Sequence, residues 1–169
     1  MRQPYLVLQV CLNGHLLKEH FRGELDKLHQ TTIRGLEQFC PQCGSKTIAH
    51  CQSCHREIRD ESLDSILSAI PTPIHLPSFC TGCGSPYPWT QQKIDAVFGL
   101  IDEAETDPQE AQKLKGSLPS IITETPSTQL AIVRFKGFLN KAIPPVKDGL
   151  IKIFIDILDS AMLRHLGLK

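Results

Sequence analysis

The 169-residue chain lacks an excess of charge of either sign. Lys plus Arg and Asp plus Glu each number 18, so the formal net charge is zero. Proteins that bind nucleic acid without sequence preference normally carry an excess of Lys and Arg, and the balance here disfavours that class. Extended disorder is disfavoured as well, because 41% of the residues are hydrophobic and disordered chains combine low hydrophobicity with high net charge.

The chain also lacks a long hydrophobic run. No stretch reaches the roughly 18 uncharged apolar residues of a membrane span. The most apolar segment, Leu150–Leu166, contains Lys152, Asp156 and Arg164, which a span would have to bury. The apolar segment within the first ten residues, MRQPYLVLQV, is shorter than the hydrophobic region of a signal peptide. We therefore expect a cytoplasmic protein with no membrane span, in which thiols stay reduced.

Common catalytic motifs are missing from the sequence. It contains no G-x-x-x-x-G-K-[ST], G-x-G-x-x-G, H-E-x-x-H or G-x-S-x-G. His55-Arg56-Glu57 matches the H-x-E of zinc deaminases, but those enzymes need P-C-x-x-C downstream, and Phe79 precedes Cys80 here. We therefore expect a protein that is not an enzyme.

Cysteine is the residue that the chain has in abundance. Six of the seven cysteines form three C-x2-C pairs, and the seventh belongs to Cys11-Leu-Asn-Gly-His15. In a reducing compartment this spacing indicates metal rather than disulfides. Two thiolates three positions apart on a tight turn can occupy two corners of a tetrahedron around zinc. Four pairs supply eight ligands, which predicts two closed, structural zinc sites.

Two ways of pairing these ligands are open. In the preferred, nested arrangement the two central pairs share one ion across a hairpin through Lys46–Ala49, and the two outer pairs share the other. Site 1 is then Cys40, Cys43, Cys51 and Cys54, and site 2 is Cys11, His15, Cys80 and Cys83. In the interleaved alternative, alternate pairs share an ion. Its sites are Cys11, His15, Cys51 and Cys54, and Cys40, Cys43, Cys80 and Cys83.

The composition changes near residue 89. All seven cysteines and six of the seven histidines precede it. We predict an α+β protein, with a double zinc-ribbon domain over residues 1–89 and an all-α domain of three to four helices over residues 90–169. In the first domain the patterns predict strands at Tyr5–Val10 and Lys46–Ala49 and a helix at Asp60–Ile70.

Helical periodicity and capping residues place the elements of the second domain. Asp107 is a predicted helix cap, and Gly167 a predicted helix end. The last helix is so apolar that we expect it in the core or against a partner. The predicted helices are Thr90–Glu105, a short helix from Pro108 that meets Gly116 and Pro119, a helix that Thr125-Pro126 or Ser127 opens and that runs to about Lys141, and Pro145–Leu166.

Three motifs carry a family resemblance. They are CLNGH, FCPQCGSKTIAHCQSC and FCTGCGSPYPWT, which begin at residues 11, 39 and 79. Together they resemble a family of uncharacterised bacterial zinc-ribbon proteins, a domain of unknown function, and the resemblance extends to residues 125–142. It implies a sensing or adaptor role beside varied effector domains, with no established activity.

The resulting hypothesis is a zinc-binding, non-catalytic adaptor or protein-interaction module of a bacterial cytoplasmic system, such as a sensing or defence-associated one. Its helical domain would bind a protein partner or a second copy. The alternative is a nucleic-acid-binding zinc ribbon, assisted by Arg134, Lys136, Lys141, Lys147 and Lys152. A ligase-like role by analogy with cross-brace zinc domains is less favoured, because the first pair is C-x3-H.

Overall fold

The structure, a computed structural model, divides the chain into two compact units, Met1–Gln91 and Gln92–Lys169. A small antiparallel sheet in the first unit and helices in the second make the fold α+β, as predicted. The boundary was predicted after residue 89. The structure puts it after Gln91, because Trp89 and Thr90, which are buried, belong to the first unit. The described residues are 5–22, 37–60, 74, 76–104, 107–123, 125–158 and 160–168.

The sheet is built around strand β1, Tyr5–Cys11. Strand β2, Leu16–Arg22, pairs with one edge of β1, and the short strands β3, Thr47–Ile48, and β4, Arg59–Asp60, pair with the other edge. All three pairings are antiparallel. The strand predicted at Tyr5–Val10 is confirmed and continues to Cys11. The predicted helix Asp60–Ile70 lies outside the described residues, apart from Asp60.

Strands β3 and β4 are the two ends of one interrupted strand. β3 pairs with Val10 and Cys11, and β4 pairs with Leu6 and Val7. Between them the Leu8 amide donates to the Ile58 carbonyl at 2.9 Å, and the Ile58 amide donates to the Ala49 carbonyl at 2.8 Å. Residues 50–57 therefore leave the strand as a loop and return to it.

The core of the first unit lies on one face of β1. Leu8 and Val10 pack there with Tyr87 and Trp89, whose rings stack 4.8 Å apart. Trp89 Nε1 donates to the Pro77 carbonyl at 3.1 Å. A Cβ on Gly14, whose φ is +87°, would lie 3.1 Å from Trp89 Cβ, so the turn between β1 and β2 needs glycine for both its backbone angle and its packing.

In the described residues of the second unit, five helices surround a separate core. Asp107 caps α2 as predicted, with Oδ1 accepting from the amides of Gln109 and Glu110 at 2.9 and 3.1 Å. Among the described residues, none of the helices combines the length and apolar character that crossing a membrane requires. The helices are α1 Pro88–Asp102, α2 Pro108–Ile122, α3 Thr128–Lys141, α4 Pro144–Ile157 and α5 Ser160–Leu166.

Two predicted helix boundaries were wrong. Helix α2 continues through Pro119, because Leu118 and Ile121 are fully buried and this packing outweighs the loss of one backbone donor. The single helix predicted over Pro145–Leu166 is broken at Leu158, which is extended with ψ of 150°. The break gives α5 its own direction, so that Met162 and Leu166 can enter the core. The Gly167 end is confirmed by its φ of +72°.

Candidate metal centres

Three tight turns in the first unit share one geometry, and we call them knuckles 1, 2 and 3 (residues 40–45, 51–56 and 80–85). In each, the residue after the second cysteine has a positive φ, and its amide donates to the carbonyl of the first cysteine. These residues are Gly44, His55 and Gly84, with φ of 72°, 58° and 72° and hydrogen bonds of 2.8, 2.9 and 2.8 Å. The closed turn points both thiols of a knuckle to the same side.

The Cys11–His15 pair lies on the turn between β1 and β2. The Gly14 amide donates to the Cys11 carbonyl at 2.9 Å, and the Cys11 amide donates to the His15 carbonyl at 3.0 Å. The His15 amide also donates to Cys11 Sγ at 3.2 Å. This hairpin brings Cys11 Sγ and His15 Nδ1 to 3.5 Å from each other.

The first cluster, centre A, consists of Cys11, His15, Cys40 and Cys43. Cys11 Sγ lies 3.7 Å from Cys43 Sγ, and Cys40 Sγ lies 3.6 Å from His15 Nδ1. All four donor atoms lie within 4.8 Å of one another. Centre A therefore joins knuckle 1 to the β1–β2 turn.

The second cluster, centre B, consists of Cys51, Cys54, Cys80 and Cys83. Cys51 Sγ lies 3.8 Å from Cys83 Sγ, and Cys54 Sγ lies 3.5 Å from Cys80 Sγ. Its four sulfurs also lie within 4.8 Å of one another. Centre B therefore joins knuckle 2, on the loop that leaves the interrupted strand, to knuckle 3.

The spacings match the edges of a metal-centred tetrahedron. With zinc–sulfur bonds of about 2.3 Å and zinc–nitrogen bonds of about 2.0–2.1 Å, two sulfurs lie about 3.8 Å apart and a sulfur and a nitrogen about 3.6 Å apart. The observed separations between donor atoms, 3.5–3.8 Å, agree with these values. A disulfide requires about 2.05 Å, and all seven cysteines are free.

The grouping corrects both pairings that the sequence left open. Neighbouring pairs share a centre, whereas the nested and interleaved schemes each joined other pairs. The reason is the register of β3, which pairs Thr47 with Cys11 and so places knuckle 1 beside the β1–β2 turn. Lys46–Ala49 runs along β1 instead of forming a hairpin between knuckles 1 and 2, and the Leu12 amide donates to the Lys46 carbonyl at 3.0 Å.

Local hydrogen bonds favour the thiolate at several donors. The backbone amide and the hydroxyl of Ser45 lower the pKa of Cys43 to about 6. Burial raises the pKa of Cys80, but the amides of Gly82 and Cys83 outweigh it and bring the value to about 6. The Ser85 hydroxyl and amide likewise lower the pKa of Cys83. Thiolate is the form in which cysteine binds a metal.

Two other donors resist ionisation when no cation compensates the charge. Burial raises the pKa of Cys11. The Arg56 amide lowers the pKa of Cys54, but the neighbouring sulfurs of Cys80, Cys83 and Cys51, together with desolvation, outweigh it and raise the pKa. Four sulfurs in such close contact cannot all carry a negative charge without a cation, and a divalent metal ion would supply that compensation.

Side chains next to the donors complete the two centres. In centre A, Asn13 Nδ2 lies 3.5 Å from Cys43 Sγ and donates to Ser45 Oγ at 3.0 Å. Beside centre B, the Arg56 side chain covers Gly82, where an added Cβ would lie 2.6 Å from Arg56 Nε. The roles of Asn13 and Arg56 beside the donors were not predicted from the sequence. The available signals were the position of Asn13 inside CLNGH and the glycine at position 82 of knuckle 3, since a larger residue there would leave no space for the Arg56 side chain.

The remaining histidines lie outside both clusters wherever the structure describes them. His50 precedes knuckle 2 and His55 lies within it, both with exposed side chains, and neither belongs to a group of donors. His165 is exposed in the last turn of α5. The side chains of His20, His29 and His75 lie outside the described residues.

Comparison with known proteins assigns the chain to a family. No curated protein and no solved structure matches it significantly. The family model described as an uncharacterized protein conserved in bacteria (DUF2321) matches residues 4–166. The match includes all eight donors and both units of the fold. The chain therefore belongs to this family of uncharacterized bacterial proteins.

Proposed function

We propose that the protein is a zinc-binding, non-catalytic protein-interaction module of the bacterial cytoplasm, an adaptor whose first unit is held together by two zinc ions. The observation that carries this proposal is the pair of four-donor clusters with tetrahedral spacing. The helical unit supplies the surface that binds a partner protein.

The donor chemistry supports zinc in both centres. Centre A offers three thiolates and one imidazole, and centre B offers four thiolates. Both sets are common in structural zinc sites, and carboxylates, which calcium and magnesium prefer, are missing from them. Four protein donors fill a tetrahedral shell, so no position remains for water or substrate. This supports a structural role for the ions and a non-catalytic role for the unit.

The described part of the first unit needs the stability that bound metal ions would add. Strands β3 and β4 have two residues each, and two of the seven buried members of its core cluster are the donors Cys51 and Cys80. Centre A ties residues far apart in the chain, and centre B does the same for knuckles 2 and 3. In such a unit the free energy of metal binding contributes directly to the free energy of folding.

The state of the cysteines supports the cytoplasmic setting. All seven are free thiols in the structure. Reduced, metal-binding cysteines are typical of intracellular proteins, whereas secreted chains of this cysteine content usually pair them as disulfides.

Metal content measured on single and double variants tests both the zinc and its grouping. Elemental analysis and native mass spectrometry of the purified full chain should find two zinc ions per chain. Cys43, Cys54 and Cys83 are suitable positions because they are exposed, and serine there leaves the core intact. Each single variant should retain one ion.

The double variants separate the three pairings. Cys54→Ser with Cys83→Ser alters only centre B, so one ion should remain. Both the nested and the interleaved pairing would instead lose both ions. Cys43→Ser with Cys54→Ser is the matched control and should lose both ions, because it alters one donor of each centre. A wild-type chain without zinc would overturn the proposal.

The interaction role is tested by crosslinking the full chain in its native host. We expect a protein partner that is lost when the helical unit is altered at its surface and that survives nuclease treatment. Recovery of nucleic acid alone, abolished by nuclease, would contradict the proposal and favour the nucleic-acid alternative.

A further inference from the structure

Helix α3 exposes aliphatic side chains on the face opposite to the core of the second unit. Val133 is 67% exposed and Leu130 is 54% exposed, and the two lie one turn apart. Single exposed aliphatic residues are common on proteins, but adjacent ones beside a groove indicate a binding surface. On the opposite face of the same helix, Ala131 and Phe135 are fully buried.

A groove of about 280 Å³ runs between α2 and α3. Its lining residues Arg134 and Gly137 follow Leu130 and Val133 by four positions, so they lie on the same side of α3 one turn further on. Leu114 of α2 and Phe138 of α3 line it, and both are almost completely buried, so they form an apolar floor. Gly137 interrupts the wall, and a Cβ added there would meet no atom within 4 Å. The gap leaves space for a side chain of a bound partner.

The rim of the groove is cationic. Lys113, Arg134 and Lys141 line it together with a single acid, Glu110. Glu110 Oε2 lies 3.3 Å from Lys141 Nζ in an ion pair that water screens, since both side chains are more than half exposed. The sequence of α3 itself contains three basic residues and no acidic one. Charge complementarity therefore calls for an acidic occupant.

We propose that this surface, the α3 groove (Lys113, Leu114, Leu130, Val133, Arg134 and Gly137), binds an acidic amphipathic helix of a partner protein. The inference rests on the proposed function and names its surface and the class of its partner. The apolar face of the bound helix packs on Leu130, Val133 and the groove floor, and its carboxylates face Lys113 and Arg134.

Two other occupants fit the surface less well. Single-stranded nucleic acid binds by stacking bases on exposed aromatic rings, but Phe138, the aromatic residue that lines the groove, is only 7% exposed. A second copy that presented the same face would bring two basic α3 helices together, and like charges would oppose each other across the interface.

A binding titration with a synthetic peptide tests the proposal on the zinc-loaded full chain. The labelled probe is a helix of about 18 residues, five turns, with leucines on one face and glutamates beside them. A control peptide has the same composition in an order that gives no apolar face. We expect fluorescence anisotropy to detect the amphipathic peptide below about 1 mM and the control peptide at least about tenfold more weakly.

Variants locate the site and separate binding from folding. Arg134→Glu should weaken binding of the acidic peptide about tenfold and strengthen binding of a version with lysine in place of glutamate. Gly137→Gln should weaken binding while leaving the melting temperature unchanged or higher, because glycine is a poor helix former. Gly116→Gln is the matched control: Gly116 is an exposed glycine of α2 with equally open surroundings outside the groove, and its variant should bind normally.

Several results would overturn the proposal. They are no binding at about 1 mM, equal binding of both peptides, or unchanged binding by Arg134→Glu and Gly137→Gln. A dimer in light scattering that Val133→Glu dissociates would assign the surface to a second copy, and RNA or DNA binding that Arg134→Glu abolishes would assign it to nucleic acid. Zinc content measured on the same samples tests the proposed function separately. Two zinc ions per chain without peptide binding would refute the proposed role of the α3 groove and leave the proposed zinc binding standing.

Discussion

At the scale of single residues, the position after the second cysteine determines whether a knuckle can close. The backbone there has positive φ in all three knuckles, and two of the three residues are glycine. His55 takes the same conformation with a side chain, which costs energy because its Cβ crowds the backbone. The exposed His55 ring belongs to neither donor cluster.

The difference between glycine at position 44 and histidine at position 55 gives a prediction in which one variant is the control for the other. Gly44→Ala should lower the stability of the first unit by about 1 kcal/mol, because alanine must adopt a left-handed conformation at φ of 72°. His55→Ala should change it by no more than about 0.5 kcal/mol, because a residue with a Cβ already occupies that conformation. Thermal unfolding in the presence of zinc measures both.

Metal content provides the second readout for the same pair. Both variants should retain two zinc ions per chain, because neither residue is a donor. Loss of one ion in His55→Ala would show instead that its imidazole belongs to centre B.

At the scale of elements, the interrupted strand decides how the metal centres are grouped. The pairing of β3 with the end of β1 holds knuckle 1 beside Cys11 and His15. The strand then opens at Ala49, and knuckle 2 leaves the sheet and returns at Ile58. Because β4 resumes the pairing with β1, the loop is fixed at both ends. Knuckle 2 is therefore presented to knuckle 3 instead of knuckle 1.

Among the helices, the N-terminus of α2 allows a direct test of how much a capping side chain stabilises its helix. Asp107→Ala should lower the free energy of unfolding of the second unit by about 1 kcal/mol, because two backbone amides lose their acceptor. Asp107→Asn keeps an acceptor oxygen and should lose much less. Urea unfolding followed by circular dichroism measures the difference, and equal stability of Asp107→Ala and the wild type would contradict the role of the cap.

At the scale of the whole molecule, the two units have separate cores and different sources of stability. Among the described residues, the core cluster of the first unit has seven buried members, two of which are donors of centre B. The cluster of the second unit, within the part of the chain that the structure describes, has sixteen buried residues from α1 to α5 and includes no metal donor. Metal removal should therefore affect the units unequally.

A chelator experiment tests this expectation. Excess EDTA should unfold the first unit, because the two centres join turns that short strands alone cannot hold. The helical circular dichroism signal should largely persist, since the second unit keeps its core. Amide hydrogen exchange resolved by peptide should show loss of protection in β1 and the knuckles and retained protection in α2 and α3.

Loss of helical structure on zinc removal would contradict the expectation that the second unit is stable without metal. A helical signal that disappears together with the zinc would mean that the second unit cannot fold without the first. Restored protection in β1 after addition of zinc is the necessary control, because it shows that the chelator acted through the metal.

The sequence by itself determined the features that depend on local chemistry. C-x2-C spacing specifies a tight turn and identified six donors without coordinates, and Cys11 and His15 were added as the fourth pair that a second four-donor site requires. The β1 strand, the Asp107 cap and the Gly167 helix end were predicted for the same reason, since each rests on residues close together in the chain. The α+β class followed from the change in composition near residue 89.

Only the tertiary structure decided which turns meet. The grouping of donors depends on the register of β3 against β1, which joins residues more than thirty positions apart, and no local pattern records that register. Long-range burial likewise carried α2 through Pro119 and broke the last helix at Leu158, against the local signals of proline and continuous apolar periodicity. Turns and helix caps are decided by neighbours in the chain, whereas the metal grouping, the passage of α2 through Pro119 and the break at Leu158 depend on how the elements pack together.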